Sequence, residues 1–356
     1  MKVILVGGFL GSGKTTGIVA ACQMLRSENK RVAVITNDQG DQQVDRAYIE
    51  SLGIEGREVS NGCFCCNYDQ LDEHLRHLTQ TTAPEFIFAE AVGSCTDMLA
   101  TVVRPLRKFN PEIVTMLCVF LDAELLASIL ENRASFISES VRYIYKKQIE
   151  EAELLIVNKV DMASLSQQTQ LRTILSDEYP NKRLLFQNSL DETSSVRWVN
   201  RIKSGDIEGD QQSPEIDYNI YGKGEAELAW VDKSITIITL HNDAPFIVRS
   251  LVGHIFDQLQ ELRLVIGHLK FFLASTSGTQ KISFTTTSTS SSVAVSLGDT
   301  NRIELMINAR VQTSPSDLVG IIDAAIELIA NRFHCTVEEG NTAAFAPGFP
   351  KPTHRF

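Results

Sequence analysis

The sequence has no strongly basic run, no long apolar stretch, no spaced cysteine framework and no internal repeat. Across its 356 residues, 44 acidic side chains outnumber 33 basic ones and leave a formal net charge of −11, which argues against a nucleic-acid partner. Nothing approaches the roughly 18 consecutive apolar residues of a membrane span, so no membrane partner is expected. The start, Met1-Lys2 and a few apolar residues, has the look of a secretory leader, but Gly7 and Gly8 break the run and lead into a loop that cleavage would destroy. Three of the seven cysteines fall within four positions. Without a secretory signal they read as reduced thiols of a cytoplasmic protein, and their clustering points to metal or redox chemistry.

What is present is an alternation. Through the first half, short apolar runs alternate with amphipathic stretches, the pattern of a parallel sheet flanked by helices. Strands are expected at Lys2–Val6, Val32–Thr36, Phe86–Ala89, Val114–Leu121, Leu154–Val157 and Leu184–Phe186. Ile18, Val19, Cys22 and Leu25 follow helical spacing, which makes Cys22 a core residue, and Cys118 reads the same way inside its strand. Around Lys203–Glu225 the composition shifts to Gly, Asp, Gln, Ser and Pro, as in a linker. Beyond it, strands are expected at Ser234–Leu240, Leu264–Ala274, Ile282–Thr287, Val293–Leu297 and Arg302–Val311, with helices at Pro245–Leu262 and Pro315–Arg332. That pattern predicts a smaller α+β domain with its helices on one face of an antiparallel sheet. The Pro-rich end is either an extended arm on a surface or disordered.

Gly8-Phe9-Leu10-Gly11-Ser12-Gly13-Lys14-Thr15 fits G-x-x-x-x-G-K-[ST], directly behind an apolar strand and ahead of a helix. Glycines at 8, 11 and 13 let successive N–H groups, Ser12 among them, turn inward toward phosphate oxygens at the positive end of the helix dipole. Lys14 then reaches the β and γ phosphates, and the hydroxyl of Thr15, with Thr16 beside it, meets Mg2+. The fold class expected is therefore α/β: a P-loop NTPase parallel sheet flanked by helices over 1–202, a linker over 203–228, the α+β domain over 229–338 and an extended tail over 339–356.

Asn158-Lys159-Val160-Asp161 follows a strand about 140 residues later. In N-K-x-D the Asp161 carboxylate accepts two hydrogen bonds from guanine that adenine cannot offer, Asn158 braces the loop and the Lys159 stem packs along the ring. This points to GTP, with Gln187-Asn188-Ser189 as a further contact to the base edge. Glu90 ends an apolar strand, where a carboxylate can hold Mg2+ directly or through water, and Gly93 lets the backbone approach the γ-phosphate. Asn37-Asp38-Gln39-Gly40-Asp41 suits a loop that orders around Mg2+ and γ-phosphate, with Asp38 orienting water, though a plain turn fits the same residues. Lys14, Asp38 and Glu90 form the candidate catalytic set.

Gly62-Cys63-Phe64-Cys65-Cys66 places three thiols in four positions, and they converge on one ion only if the backbone turns, as Asn61 and Gly62 permit. Thiolate ligation favours Zn2+ or another thiophilic ion, with a fourth ligand from elsewhere or from solvent, Asp38 and Asp41 being candidates. A redox pair without metal stays open, and Cys95 either joins the site or merely packs. His74 and His77 share a helix face, as auxiliary ligands or as part of a solvated surface.

Together these residues resemble the CobW-like GTPases, relatives of the UreG and HypB metal-centre assembly proteins. The resemblance rests on Gly8–Thr16, Cys63-Phe64-Cys65-Cys66, Glu90-Ala91-Val92-Gly93, Asn158-Lys159-Val160-Asp161 and the helical stretch Gln148–Glu153, and it covers about the first 190 residues. Beyond them the chain is similar only in layout to the family's C-terminal domain. The resemblance implies a slow GTPase that binds Zn2+ or Co2+ through Cys63, Cys65 and Cys66 and delivers it to a client metalloenzyme. The alternative is a GTP-dependent switch for a cobalamin-dependent or other metalloenzyme without metal transfer, and a homodimer is a further partner to consider. The seven histidines are scattered where many relatives carry a His-rich loop, so metal storage is not expected. Asn37-Asp38-Gln39-Gly40 also stands where the family usually has Asn-Glu-Phe-Gly.

Overall fold

The apolar runs of the first half become strands buried on both faces, as a parallel sheet covered by helices requires. The computed structural model describes residues 1–40, 44–60, 62–131, 133–134, 137–205 and 212–356. In chain order the elements of the first half are β1 (Lys2–Gly7), α1 (Lys14–Ser27), β2 (Val32–Asn37), α2 (Val44–Ser51), β3 (Glu55–Val59), α3 (Tyr68–Thr81), β4 (Phe86–Glu90), α4 (Arg104–Phe109), β5 (Val114–Asp122), α5 (Ala123–Leu130), α6 (Glu139–Glu151), β6 (Leu154–Asn158), α7 (Leu165–Glu178), β7 (Arg183–Phe186), α8 (Glu192–Ser204) and α9 (Tyr218–Ala226). A π-helical turn, Leu99–Val103, precedes α4.

The seven strands form one parallel sheet in the order β3-β2-β4-β1-β5-β6-β7. Register aligns the ends where ligands collect in such sheets: Val6 pairs with Glu90, Thr36 with Glu90, and Asp122 with Asn158. The six strands expected from sequence are all present. β3 was not expected, because Glu-Gly-Arg-Glu-Val at a sheet edge buries only Val59 and carries no apolar period. Cys22 and Cys118 are fully buried, as core residues.

The second half supplies β8 (Ala229–Ile238), α10 (Ala244–Glu261), β9 (Ile266–Ser275), β10 (Gly278–Phe284), β11 (Arg302–Val311), α11 (Pro315–Phe333) and β12 (Thr336–Phe345). An antiparallel sheet, β10-β9-β11-β8-β12, packs with both helices around Val231, Ile237, Leu251, Phe271, Ile307 and Ile322. Val293, Val295 and Leu297 lie against this core without forming the strand expected there, so their alternation is met by packing alone. β12 was not expected; like β3 it is an edge strand, mostly polar on its exposed side. The stretch read as linker contains α9.

Two compact units emerge. One comprises Met1–Gln39, Gly53–Gly224 and Phe349–Phe356; the other comprises Gly40–Leu52 and Glu225–Gly348. The second unit therefore includes α2, a piece of the N-terminal half. There Val44 donates its N–H to Asn308 Oδ1 at 2.9 Å, and the Asp45 carboxylate lies between the ammonium groups of Lys270 and Lys281. Burial works against the Asp45 charge, but the two lysines outweigh it and hold the carboxyl well below its ordinary range. Gly40 is required by close approach, since a Cβ there would lie 1.6 Å from Asp232 Oδ2. Among the described residues no helix is long and apolar enough to cross a membrane.

Candidate nucleotide site and thiol cluster

β1 ends at Gly7 between β4 and β5, at the point where the strand order reverses, and the loop to α1 wraps that point. Gly8, Gly11 and Gly13 adopt φ of 122°, 76° and 90°, a region that L side chains avoid. A Cβ on Gly8 would lie 2.2 Å from the Phe120 carbonyl oxygen, and one on Gly13 would lie 2.3 Å from Asn158 Nδ2. Lys14 is buried, its ammonium donating to the carbonyls of Gly8 (2.7 Å) and Phe9 (3.3 Å), which places the charge at the mouth of the loop. Ser12 Oγ is buried with no hydrogen-bond partner among the described residues, and an orphaned hydroxyl inside a ring of backbone N–H groups fits an anionic ligand.

The Thr15 hydroxyl donates to Glu90 Oε1 at 2.9 Å, so the structure brings together the two residues expected to hold Mg2+. Thr16, the next residue of α1, is half-buried. Three residues beyond Glu90, a Cβ on Gly93 would lie 2.6 Å from the Leu10 side chain and 2.9 Å from its nitrogen, so that loop presses on the phosphate loop as only glycine allows. Gln148 Nε2 donates to the carbonyls of Gly93 (3.0 Å) and Cys95 (2.8 Å) and braces the loop from α6. Sequence reading had met Gln148 only as part of a helical stretch.

Asn158 is the hinge of the loop expected to meet the base. Its Nδ2 donates to the Ser12 carbonyl at 2.9 Å, and its Oδ1 accepts from the N–H (3.0 Å) and hydroxyl (2.8 Å) of Ser189. Three loops distant in sequence are thereby joined, including the Gln187–Ser189 segment expected at the base edge. Lys159 sits at φ 59° with its ammonium 2.7 Å from Asp122 Oδ2. Asp122, which sequence reading passed over, also caps α5 by accepting from the N–H groups of Glu124 and Leu125. Its signal was a carboxylate at a strand end immediately before a helix. Asp161 lies exposed on a short helical turn, available to a base edge.

The thiols lie on a turn, as their convergence demanded: the N–H groups of Cys66 and Asn67 both donate to the Cys63 carbonyl, at 3.0 and 2.9 Å. Sulfur separations are 2.7 Å for Cys63–Cys65, 3.4 Å for Cys63–Cys66 and 3.8 Å for Cys65–Cys66. A tetrahedral thiolate site with bonds of about 2.3 Å has edges of about 3.8 Å, so the donor set fits such an ion with a modest opening. Hydrogen bonds from Cys65, Cys66 and Cys95 hold the Cys63 thiol well below its ordinary range. Its hydrogen bonds push Cys65 upward, and they push Cys66 up to about 11.

Among the described residues, the potential ligands lying within 4.8 Å of one another are Cys63, Cys65 and Cys66, so Asp38 is not brought into that group. Asp41 and Asn61 lie outside the described residues. Asp38 instead accepts from the Gln39 N–H at 2.8 Å, at the end of β2. Its neighbour Asn37 does the joining: Nδ2 donates to the carbonyls of Val59 (3.0 Å) and Gly62 (2.8 Å), and Oδ1 accepts from Phe64 N–H (2.8 Å). His74 and His77 are taken up along β3, by the Glu58 carbonyl and by Arg57.

The thiol turn is also covered. Thr353 donates its N–H to the Cys65 carbonyl (2.8 Å) and its hydroxyl to the Cys66 carbonyl (3.0 Å), and Lys351 N–H points at Cys66 Sγ (3.2 Å). The His354 ring packs edge-on against Tyr68, and Arg355 bonds Asp97 at 2.8 Å. Of the two readings of the Pro-rich end, Phe349–Phe356 follows the surface-bound arm.

A phosphate loop whose threonine meets a strand-end glutamate at the reversal point of a parallel sheet makes this a P-loop nucleotide-binding protein. The model of the CobW/HypB/UreG nucleotide-binding domain matches residues 2–186, just over half of the chain, and the chain belongs to that family. It is 29% identical over 160 residues to the zinc chaperone YeiR of Escherichia coli K12, covering 44% of this chain and 46% of that protein. It is 24% identical over 219 residues to the zinc chaperone CobW of a Sinorhizobium species, covering 54% of this chain and 60% of the relative. The chain thus spans about half the length of the curated relatives it matches. Among solved structures, HypB from Helicobacter pylori in complex with nickel aligns with 16% identity and a TM-score of 0.42, over 60% of this chain and 91% of that one.

Proposed function

We propose that the chain is a cytoplasmic, Mg2+-dependent GTPase that couples its nucleotide state to binding a thiophilic transition metal, Zn2+ or Co2+, and to delivering it to a client metalloprotein. The observation that carries this reading is the Asn37 side chain, which ends β2 and holds Gly62 and Phe64 on either side of Cys63. A rearrangement of Asp38 and Gln39 around a γ-phosphate would therefore reach the first thiol through one residue. The zinc-chaperone names of the YeiR and CobW relatives support the same reading.

In this scheme the N–H groups of Gly8–Thr16 cradle the phosphates and Lys14 offsets their charge. Thr15 and Glu90 hold Mg2+, Asp38 orients water, and Gly93 approaches the γ-phosphate. Asn158, Lys159 and Asp161 select guanine. Cys63, Cys65 and Cys66 take the metal as cargo.

Titrating reduced, metal-stripped protein with Zn2+, with and without a non-hydrolysable GTP analogue, tests the scheme. One thiol-dependent ion per chain is expected, with an affinity that responds to the analogue. Asp161→Asn should lower the preference for GTP over ATP at least about tenfold, since a charge-assisted hydrogen bond is worth roughly 1.5–3 kcal/mol. Nucleotide binding without stoichiometric metal would overturn the chaperone role and favour a switch acting on a metalloenzyme.

A further inference from the structure

Of the three converging sulfurs, those of Cys63 and Cys65 belong to buried residues, 3% and 1% exposed, whereas Cys66 is half-buried, so the cluster meets its surroundings through Cys66. The segment Lys351–Phe356 lies on that side. The Lys351 N–H points at Cys66 Sγ from 3.2 Å. Two residues on, Thr353 takes the Cys65 carbonyl with its N–H (2.8 Å) and the Cys66 carbonyl with its hydroxyl (3.0 Å). The segment is also tied down beyond the thiol turn. The His354 ring sits 5.0 Å from that of Tyr68 and 5.2 Å from that of Phe109. Arg355 meets the buried Asp97 carboxylate at 2.8 Å, and the Phe356 N–H donates to the Ala100 carbonyl at 3.0 Å.

We propose that Lys351–Arg355 is the outer shell of the thiol site. The Lys351 N–H is a positioning donor to Cys66 Sγ, and the segment pinned by Thr353 and Arg355 walls the side on which a bound ion exchanges with an outside ligand. This rests on the metal-binding reading above and deepens it, by naming what sets the electronic character of one sulfur and the rate at which the ion leaves. Three thiolates on a divalent ion carry an excess of negative charge, and an N–H aimed at sulfur offsets part of it. The same three leave the fourth position of a tetrahedral ion to a thiolate, an imidazole or water from outside. Such a donor passes Cys66, since the other two sulfurs are buried, and the segment from Lys351 to Thr353 stands at that point. Each of these contacts is already made in the folded chain.

Magnetic resonance of the reduced wild-type protein loaded with a spin-active cadmium isotope tests the hydrogen bond directly, because the metal spin couples through a sulfur ligand to a proton bonded to that sulfur. Coupling to the Lys351 amide proton is expected. Its absence from a protein that holds stoichiometric cadmium on its thiols would overturn the proposal and leave the metal-binding reading standing. In the Co2+ form, Lys351→Pro removes the N–H at a position already flanked by prolines, and the thiolate-to-metal charge-transfer band should move to longer wavelength. Lys351→Ala keeps the N–H and should match the wild type; an unmoved band in Lys351→Pro would overturn the positioning role. Zn2+ transfer to a chromophoric chelator should quicken roughly two- to tenfold in Thr353→Val, as for the loss of one hydrogen bond, and return to the wild-type rate in Thr353→Ser. Equal rates in all three would refute the wall. No stoichiometric metal in the wild type, or a disulfide in its place, would overturn both readings. Because the cadmium coupling is read on the wild type, the test survives a variant that folds poorly.

Discussion

At the scale of the residue, Glu151 shows how the loop after β4 is tuned. It ends α6 fully buried and accepts from the Leu99 N–H and the Thr96 hydroxyl, both at 3.1 Å, immediately beyond Cys95. Burial raises its carboxyl from 4.5 to about 8, reinforced by the nearby Asp97 charge. The folded chain thus keeps a proton that the unfolded chain releases above pH 4.5. The stability this contributes is fully present below that pH and is lost as the pH rises through about 8. Urea midpoints measured at intervals from pH 5 to 8.5 should fall more steeply for the wild type than for Glu151→Gln; parallel curves would refute the assignment. Sequence reading met Glu151 only as a letter in a helical stretch, because nothing local announces that a carboxylate will be buried. Lys14, Thr15 and Asn158 could be singled out as candidates for the opposite reason: the roles expected of them depend on adjacent glycines and on a preceding strand.

At the scale of the element, strands carrying an apolar run were readable, the edge strands β7 and β10 among them, and the polar edge strands β3 and β12 were not. β1, β4 and β6 are buried along almost their whole length and advertise it as apolar runs, whereas β3 and β12 each pair on one side only and carry polar residues. The helix α2 is a subtler case. It buries Val44 and Ile49, but its position depends on Asp45 between Lys270 and Lys281, more than 200 residues away. Replacing Asp45 with Asn should cost on the order of 3 kcal/mol, because two largely buried lysines lose their counter-charge. Amide exchange should then quicken across Val44–Ser51, with little change in α1. Uniform quickening through both units would show that α2 is not a separately anchored element.

At the scale of the whole molecule, the chain enters the second unit at Gly40, leaves it after Leu52 and returns at Glu225. The units are therefore not successive beads, and a boundary drawn near residue 202 or 228 separates α2 from the core that holds it. A fragment ending at Gly224 should retain the phosphate loop yet expose Val44 and Ile49, and limited proteolysis should cut it between residues 40 and 52, where the full chain resists. Equal resistance would mean that α2 holds without the second unit. The sequence alone determined the nucleotide class, the central strands and the candidate thiols, since each is written in neighbouring residues whose spacing matches a backbone geometry. Only the tertiary structure decided that Asn37 braces the thiol turn, that Phe349–Phe356 covers it and that α2 belongs to the second unit. Those are contacts between segments far apart along the chain, made by closing long loops, and no local pattern records which distant side chain will be met.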